Sequence, residues 1–234
     1  MALLVDGLNH PGSDHTWLQK KGIWCPLLSK ACFKDGLAGE LHQQIFGEWA
    51  DRIRDEQGFH SHSYSVEWRI GDRERNLARE HLYTSFTVKF FPRAKTFGEV
   101  VSYDTRLTDT DPNRGKNRFN RSMFDADDPG NGQRHALLPY PLEYAEEIVQ
   151  AHGEAGEWEQ LNWKSHYAPR MLWGWIAKNK RVPLRIEEGY RKAVGFAQLC
   201  PSTPVIALGG ITMGMLSEDR KPTSLLRHLA TGRQ

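Results

Sequence analysis

Phe59-His60-Ser61-His62-Ser63-Tyr64-Ser65-Val66-Glu67-Trp68-Arg69-Ile70 alternates with a period of two, the period of a strand whose successive side chains point to opposite faces. One face takes His60, His62, Tyr64, Val66, Trp68 and Ile70, and the other takes Ser61, Ser63, Ser65, Glu67 and Arg69. The first face is half hydrophobic and half chemical, which predicts a strand over 61–70 set on a core. Two further strands are predicted, over 82–91 (Leu-Tyr-Thr-Ser-Phe-Thr-Val-Lys-Phe-Phe) and over 99–107. The charged insert 71–81 between the first two reads as a hairpin loop or a short helix. Three strands in close succession predict a mainly antiparallel sheet.

Upstream, 2–5 reads as a short strand and 9–13 as a turn. Leu37, Leu41, Ile45, Trp49 and Ile53 then recur every four positions, supported by Phe46 and followed by Gly58. That period predicts a helix over about 35–56 that covers the sheet. Downstream, 108–134 has no apolar period and is dense in Asp, Asn, Pro, Gly and Arg, so it reads as one long surface loop. Helices are expected from Pro141, taken as the first helical position, to about 152, over 167–177 (Met171, Leu172, Trp175, Ile176) and over 184–199 (Ile186, Tyr190, Val194, Ala197). A last strand is expected at 203–208, and a tail helix around Leu225, Leu226 and Leu229. The predicted class is α+β: a mainly antiparallel sheet covered by helices, with a helical C-terminal portion at about 140–200, in a single domain over 1–234.

Composition sets bounds on function. The chain of 234 residues is long enough to bury most of its apolar surface without staples. Its hydrophobic fraction is 39% and its mean hydropathy −0.62, but 8 Trp, 7 Tyr and 10 Phe are the aromatic content of a folded chain. A net charge of +2 leaves any basic patch to local clustering. Cys25, Cys32 and Cys200 form no Cys-x-x-Cys pair, which argues against a disulfide framework or a zinc knuckle and fits a reducing compartment. The apolar run 2–5 is too short for a signal segment and no stretch suits a membrane span, so the expected location is cytoplasmic, with no membrane partner.

Five constellations bear on chemistry. His60 and His62 project from one side of the predicted strand and are the candidate metal ligands and catalytic pair, for Mn, Mg or Zn, with a third ligand to come from elsewhere. The strand-borne His-x-His pair resembles those of HUH endonucleases and of pyruvoyl-tetrahydropterin synthases. It departs from them in carrying Ser61 between the histidines and in having no Cys shortly before the pair. The endonuclease resemblance implies a metal that polarises a phosphodiester and a tyrosine that attacks it, with Tyr144, Tyr167 and Tyr190 as candidates. Tyr190, followed by Arg191 and Lys192, is the preferred one, although it also falls on the apolar stripe of its helix. The bland alternative for the pair is an exposed strand end.

Pro112-Asn113-Arg114-Gly115-Lys116-Asn117-Arg118-Phe119-Asn120-Arg121 interleaves cations, amides and a ring, which suits phosphate contact and base stacking. Asp104, Asp109, Asp111, Asp125, Asp127 and Asp128 flank it, and the alternative is a solvated zwitterionic loop. Asp109-x-Asp111-x-Asn113 starts like a calcium loop but lacks its glycine spacing and final Glu. Trp158, Trp163, His166, Tyr167, Arg170, Trp173 and Trp175 form a further cluster, in which Arg170 is the anion-binding candidate and Trp173 or Trp175 buries a helix. Finally, Gly209-Gly210-x-x-x-Gly214 after a strand resembles the glycine-rich loop of RAMP-type CRISPR proteins, which implies an RNA-binding ferredoxin-like fold. A plain turn is the alternative.

The leading expectation is a nucleic-acid-binding or nucleic-acid-processing protein, a subunit of a larger ribonucleoprotein or of a phage or mobile-element system. It takes RNA or single-stranded DNA and other protein subunits as partners. Arg114, Lys116, Arg118, Phe119, Arg121 and Arg170 make the contacts. With 19 arginines against 12 lysines the chain favours planar phosphate and base recognition. The alternatives are a metal-dependent hydrolase or lyase built on His60 and His62, with a phosphodiesterase or nuclease foremost, and a structural or assembly subunit of an oligomeric complex.

Overall fold

The computed structural model describes residues 18–19, 22–37, 81–91, 93–107, 118–119, 135–208 and 221–233. The elements in chain order are α1 (Pro26–Cys32), β1 (Phe33–Leu37), β2 (His81–Phe91), β3 (Thr96–Leu107), β4 (Arg118–Phe119), β5 (His135–Leu137), α2 (Leu142–His152), α3 (Glu157–Leu161), α4 (Ala168–Lys178), β6 (Arg185–Glu188), α5 (Tyr190–Leu199), β7 (Val205–Leu208) and α6 (Ser224–Ala230). Among the described residues these strands form one sheet of order β4-β3-β2-β5-β7-β6, with β1 also paired to β2. The predicted strands at 61–70 and 2–5, the turn at 9–13 and the Gly209 run lie outside the described residues.

The sheet is mixed, which corrects the expectation of a mainly antiparallel one. The ladders through β1 to β5 and β5 to β7 are antiparallel, while β6 and β7 run parallel, with Arg185 opposite Val205 and Glu188 opposite Leu208. Parallel neighbours need a crossover, and α5 supplies it. The segment 184–199, read as one helix, is thus a strand, a break and a helix. Gly189 makes the break at φ 89° and ψ 137°, a conformation closed to residues with a Cβ. The predicted helix at 35–56 is corrected at its start, because Asp35, Gly36 and Leu37 belong to β1 and pair with Tyr83, Leu82 and His81; the rest of it lies outside the described residues. In the predicted loop 108–134, Arg118 and Phe119 form β4 against β3. Helix α2 starts one residue later than expected, with Pro141 as its N-cap.

The β-branched and aromatic run of 82–91 forms the long central strand, as its composition dictates. Register shifts between Ser85 and Phe86 and between Val88 and Phe90 mark bulges against β3. Gly98 lies beneath the Phe91 ring, where an added Cβ would stand 2.3 Å from a ring carbon. At the meeting of β2 and β5, Thr87 Oγ1 accepts from the Leu137 N–H at 2.8 Å and donates to the Leu137 carbonyl at 2.9 Å. One hydroxyl there does the work of a ladder pair.

Helix α4 packs against β3 and α2, α5 against β6 and β7, and α1 against β1, β2 and α5. The interior they close contains Leu28, Val88, Leu138, Ile148, Trp173 and Ile206, all buried. Two of its polar side chains are paired: Trp173 Nε1 donates to the Leu138 carbonyl at 2.8 Å, and the Tyr140 hydroxyl accepts from the Val205 N–H at 2.9 Å. The segment before α1 is pinned to α5 by Gln198, whose side-chain oxygen accepts from the Trp24 and Cys25 N–H groups at 3.1 and 3.3 Å.

The C-terminal helices exchange caps. Arg233 donates to the carbonyls of Ile176 in the last turn of α4 and of Asn179 and Val182 in the segment after it, and to Leu229 on α6. Lys180, just past α4, donates in return to the His228 and Leu229 carbonyls at 3.0 and 3.4 Å. The Ile176, His228 and Leu229 carbonyls are among the acceptors that a helix end leaves without intrahelical partners. Arg233→Met therefore strands several acceptors at once and is expected to cost about 1.5–3 kcal/mol, the scale of hydrogen bonds to a charged donor. A urea titration reads it, and a loss below about 0.5 kcal/mol would rule out the cap as a stabilising device.

His228 stacks on Phe90 with ring centroids 4.9 Å apart. Burial, with the Lys180 and Lys95 cations, holds its imidazole below the ordinary value near 6.5. The unfolded chain therefore binds more protons than the folded one as pH falls through 6.5. The stability that neutral His228 contributes is complete above that value and is lost as the solution is acidified below it. The melting temperature is expected to drop between about pH 7.5 and about pH 5.5, and His228→Phe to shrink that drop. An unchanged drop in the variant would assign the pH response elsewhere.

Candidate nucleic-acid interface

Helix α4 owes its two faces to its spacing. Leu172, Trp173, Ile176 and Ala177 are buried, while Tyr167 at its N-cap, Arg170, Met171 and Lys178 are exposed along the other side. Tyr167 is 46% exposed and Met171 40%, so a ring, a guanidinium and a flexible thioether share one solvent-facing strip. His166 stands against Tyr167, with ring centroids 3.9 Å apart. Arg170 is thus presented to solvent as the sequence expects, whereas Met171, read there as part of the apolar stripe, is on the surface. Its position one residue after Arg170, on the turn between the buried Ala168 and Leu172, was the available signal.

The tryptophan cluster divides into one buried member, Trp173, and three partly buried ones, Trp158, Trp163 and Trp175. Trp173 is sealed in the core, and Trp175 is half-buried with its indole N–H donating to Glu157 Oε1 at 2.7 Å. That bond, a second from the Glu154 N–H and the Arg181 cation hold the Glu157 carboxyl below its ordinary range. Trp158 and Trp163 meet edge to face at 5.5 Å.

Of the loop candidates, Arg118 and Phe119 are described as strand β4. Arg118 stands opposite Arg106 and Phe119 opposite Thr105, at the outer limit of the described sheet. Arg114, Lys116 and Arg121 lie outside the described residues, as do His60 and His62. Among the described residues, no group of three or more His, Cys, Asp or Glu is placed to hold a metal ion.

The tyrosines part ways. Tyr190 is buried, and its hydroxyl donates to the Phe86 carbonyl and lies 3.5 Å from the Cys32 carbonyl, with its ring edge to face with Phe33 at 5.5 Å. The apolar spacing 186, 190, 194, 197 had pointed to this packing role, and a nucleophilic one would require breaking into the core. Tyr144 is also buried, its hydroxyl 3.2 Å from Cys25 Sγ, and burial raises its pKa above the usual phenol value. Burial likewise pushes the Cys32 thiol up to about 12, with the neighbouring Tyr190 hydroxyl acting in the opposite direction. Cys32 therefore stays protonated. Tyr167 is the one of the three candidates that solvent reaches.

The chain matches no protein-family model, and neither a curated protein nor a solved structure matches it. Among the described residues no helix is long and apolar enough to cross a membrane.

Proposed function

We propose that this chain is a nucleic-acid-binding or nucleic-acid-processing protein, working in the cytoplasm as a subunit of a larger ribonucleoprotein or of a phage or mobile-element system. One observation carries the reading: α4, which presents Arg170 and Tyr167 to solvent, packs against β3, and β3 is the strand to which Arg118 and Phe119 are paired. Two segments about 50 residues apart in sequence, each selected for cations interleaved with rings, are therefore borne by adjoining elements. Exposed aromatic and arginine groups serve single strands best, because every base offers a face for stacking.

The test is gel retention of labelled single- and double-stranded RNA and DNA at low and high salt. The reading expects retention, strongest for single strands, that weakens as salt rises. Absence of retention of all four at low salt refutes it.

A further inference from the structure

We propose that β6 is the seam of a two-fold symmetric dimer, in which a second copy of this chain pairs antiparallel with it, Ile186 against Ile186 of the partner. The proposal is independent of nucleic-acid binding. Among the described residues β6 pairs with β7 alone and closes one end of the sheet. The Arg185 N–H donates to the Pro204 carbonyl at 2.9 Å and the Gly189 N–H to the Leu208 carbonyl at 2.7 Å. Backbone groups alternate in direction along a strand, so those of Ile186 and Glu188 point away from β7 to the open side. Among the described residues that edge is left for pairing, and Ile186 on it is 48% exposed.

The charges select the partner. In an antiparallel ladder, residues that point outward face residues that point outward, so a two-fold axis must pass through a residue of the strand. An axis at Arg185 opposes two arginines, and an axis at Glu187 or Glu188 opposes two glutamates. Like charges directly opposite are unfavourable. Only the axis at Ile186 opposes Ile186 to itself and sets Arg185 opposite Glu187 twice. In that register the Ile186 N–H and carbonyl of each copy exchange both hydrogen bonds, and Leu184 comes opposite Glu188. The sequence Arg185-Ile186-Glu187 is thus complementary to itself when reversed.

The helix beside the edge fits the same seam. Lys192 lies 3.6 Å from Glu188, and the Arg185 guanidinium sits over the Phe196 ring at 5.2 Å. The side of α5 that borders β6 therefore runs through Lys192, Phe196 and Leu199. Leu199 is 70% exposed, and a Cβ at Gly195 would meet nothing within 4 Å. Strand pairing would bring the two copies of Phe196 and Leu199 to the same side of one continuous sheet.

The experiment is sedimentation velocity on the full chain. The wild type is expected at twice 26.8 kDa. Arg185→Glu and Glu187→Arg each create like-charge pairs across the axis and are expected at 26.8 kDa. Mixed one to one, the two variants set the introduced glutamate of one chain opposite the introduced arginine of the other, and the dimer is expected to return. Arg185 also bonds Glu187 within its own chain at 2.7 Å, and mixing does not restore that bond, so recovery reports the contact between copies. Ile186→Lys leaves the ion pairs intact and is also expected to be monomeric, and it carries the test if a charge variant loses its fold. A monomeric wild type, single variants that stay dimeric, or a monomeric mixture of chains with wild-type circular dichroism overturns the proposal.

Discussion

Trp173→Ala is expected to lower the unfolding free energy by about 3–5 kcal/mol, the range for truncating a fully buried large aromatic side chain. The indole is sealed from solvent where α4 meets the chain after β5, its centroid 6.2 Å from that of Tyr140, and its N–H satisfies the Leu138 carbonyl. Truncation removes the apolar volume and strands a buried acceptor together. Trp173→Phe separates the two contributions, since it keeps most of the volume and loses only the donor, for about 1–3 kcal/mol. Urea titrations of both variants check the ordering. An alanine variant within about 1 kcal/mol of wild type would mean that α4 is not seated as described.

The second large effect concerns binding. Replacing Arg114, Lys116, Arg118 and Arg121 together by Ala is expected to weaken single-strand binding about a hundredfold or more at low salt, and to flatten its salt dependence. Each phosphate contact contributes about 0.7 to the slope of log affinity against log salt for a single strand, so four lost contacts remove about 3 units. Arg170→Glu, on the adjoining α4, is expected to add to the loss. Fluorescence anisotropy measures both quantities. Four-site and wild-type proteins with equal slopes would remove these residues from the interface.

The sequence announced some parts of the molecule clearly because local chemistry alone decides them. The run from Leu82 to Phe91 is rich in β-branched and aromatic residues, and it is the central strand. Pro141 followed by Tyr144, Ala145, Ile148 and Val149 spells a helix start and a buried stripe. Trp173 and Trp175 point differently around α4, so only one of them is sealed in the core. Strand β6 stayed hidden for an equally physical reason. Ile186, Tyr190, Val194 and Ala197 continue one helical period across it, and Arg185, Glu187 and Glu188 are good helix formers. Gly189 alone betrays the break, through a backbone angle that sequence does not display. The parallel pairing with β7, the Arg233 cap and the Gln198 brace join residues far apart in the chain, and no local spacing encodes them. The candidate interface is similar: composition picked out Arg118 and Arg170, but that their elements adjoin through β3 is a fact of topology.

The most direct measurement is the affinity of the wild-type chain for a labelled single-stranded RNA and its DNA counterpart, by anisotropy, over about 50–300 mM salt. The account predicts saturable binding whose affinity falls steeply and linearly on log axes, with a slope of about −2 to −4, as expected for about three to six phosphates neutralised by arginine and lysine. Binding indifferent to salt, or none at the lowest salt, contradicts it.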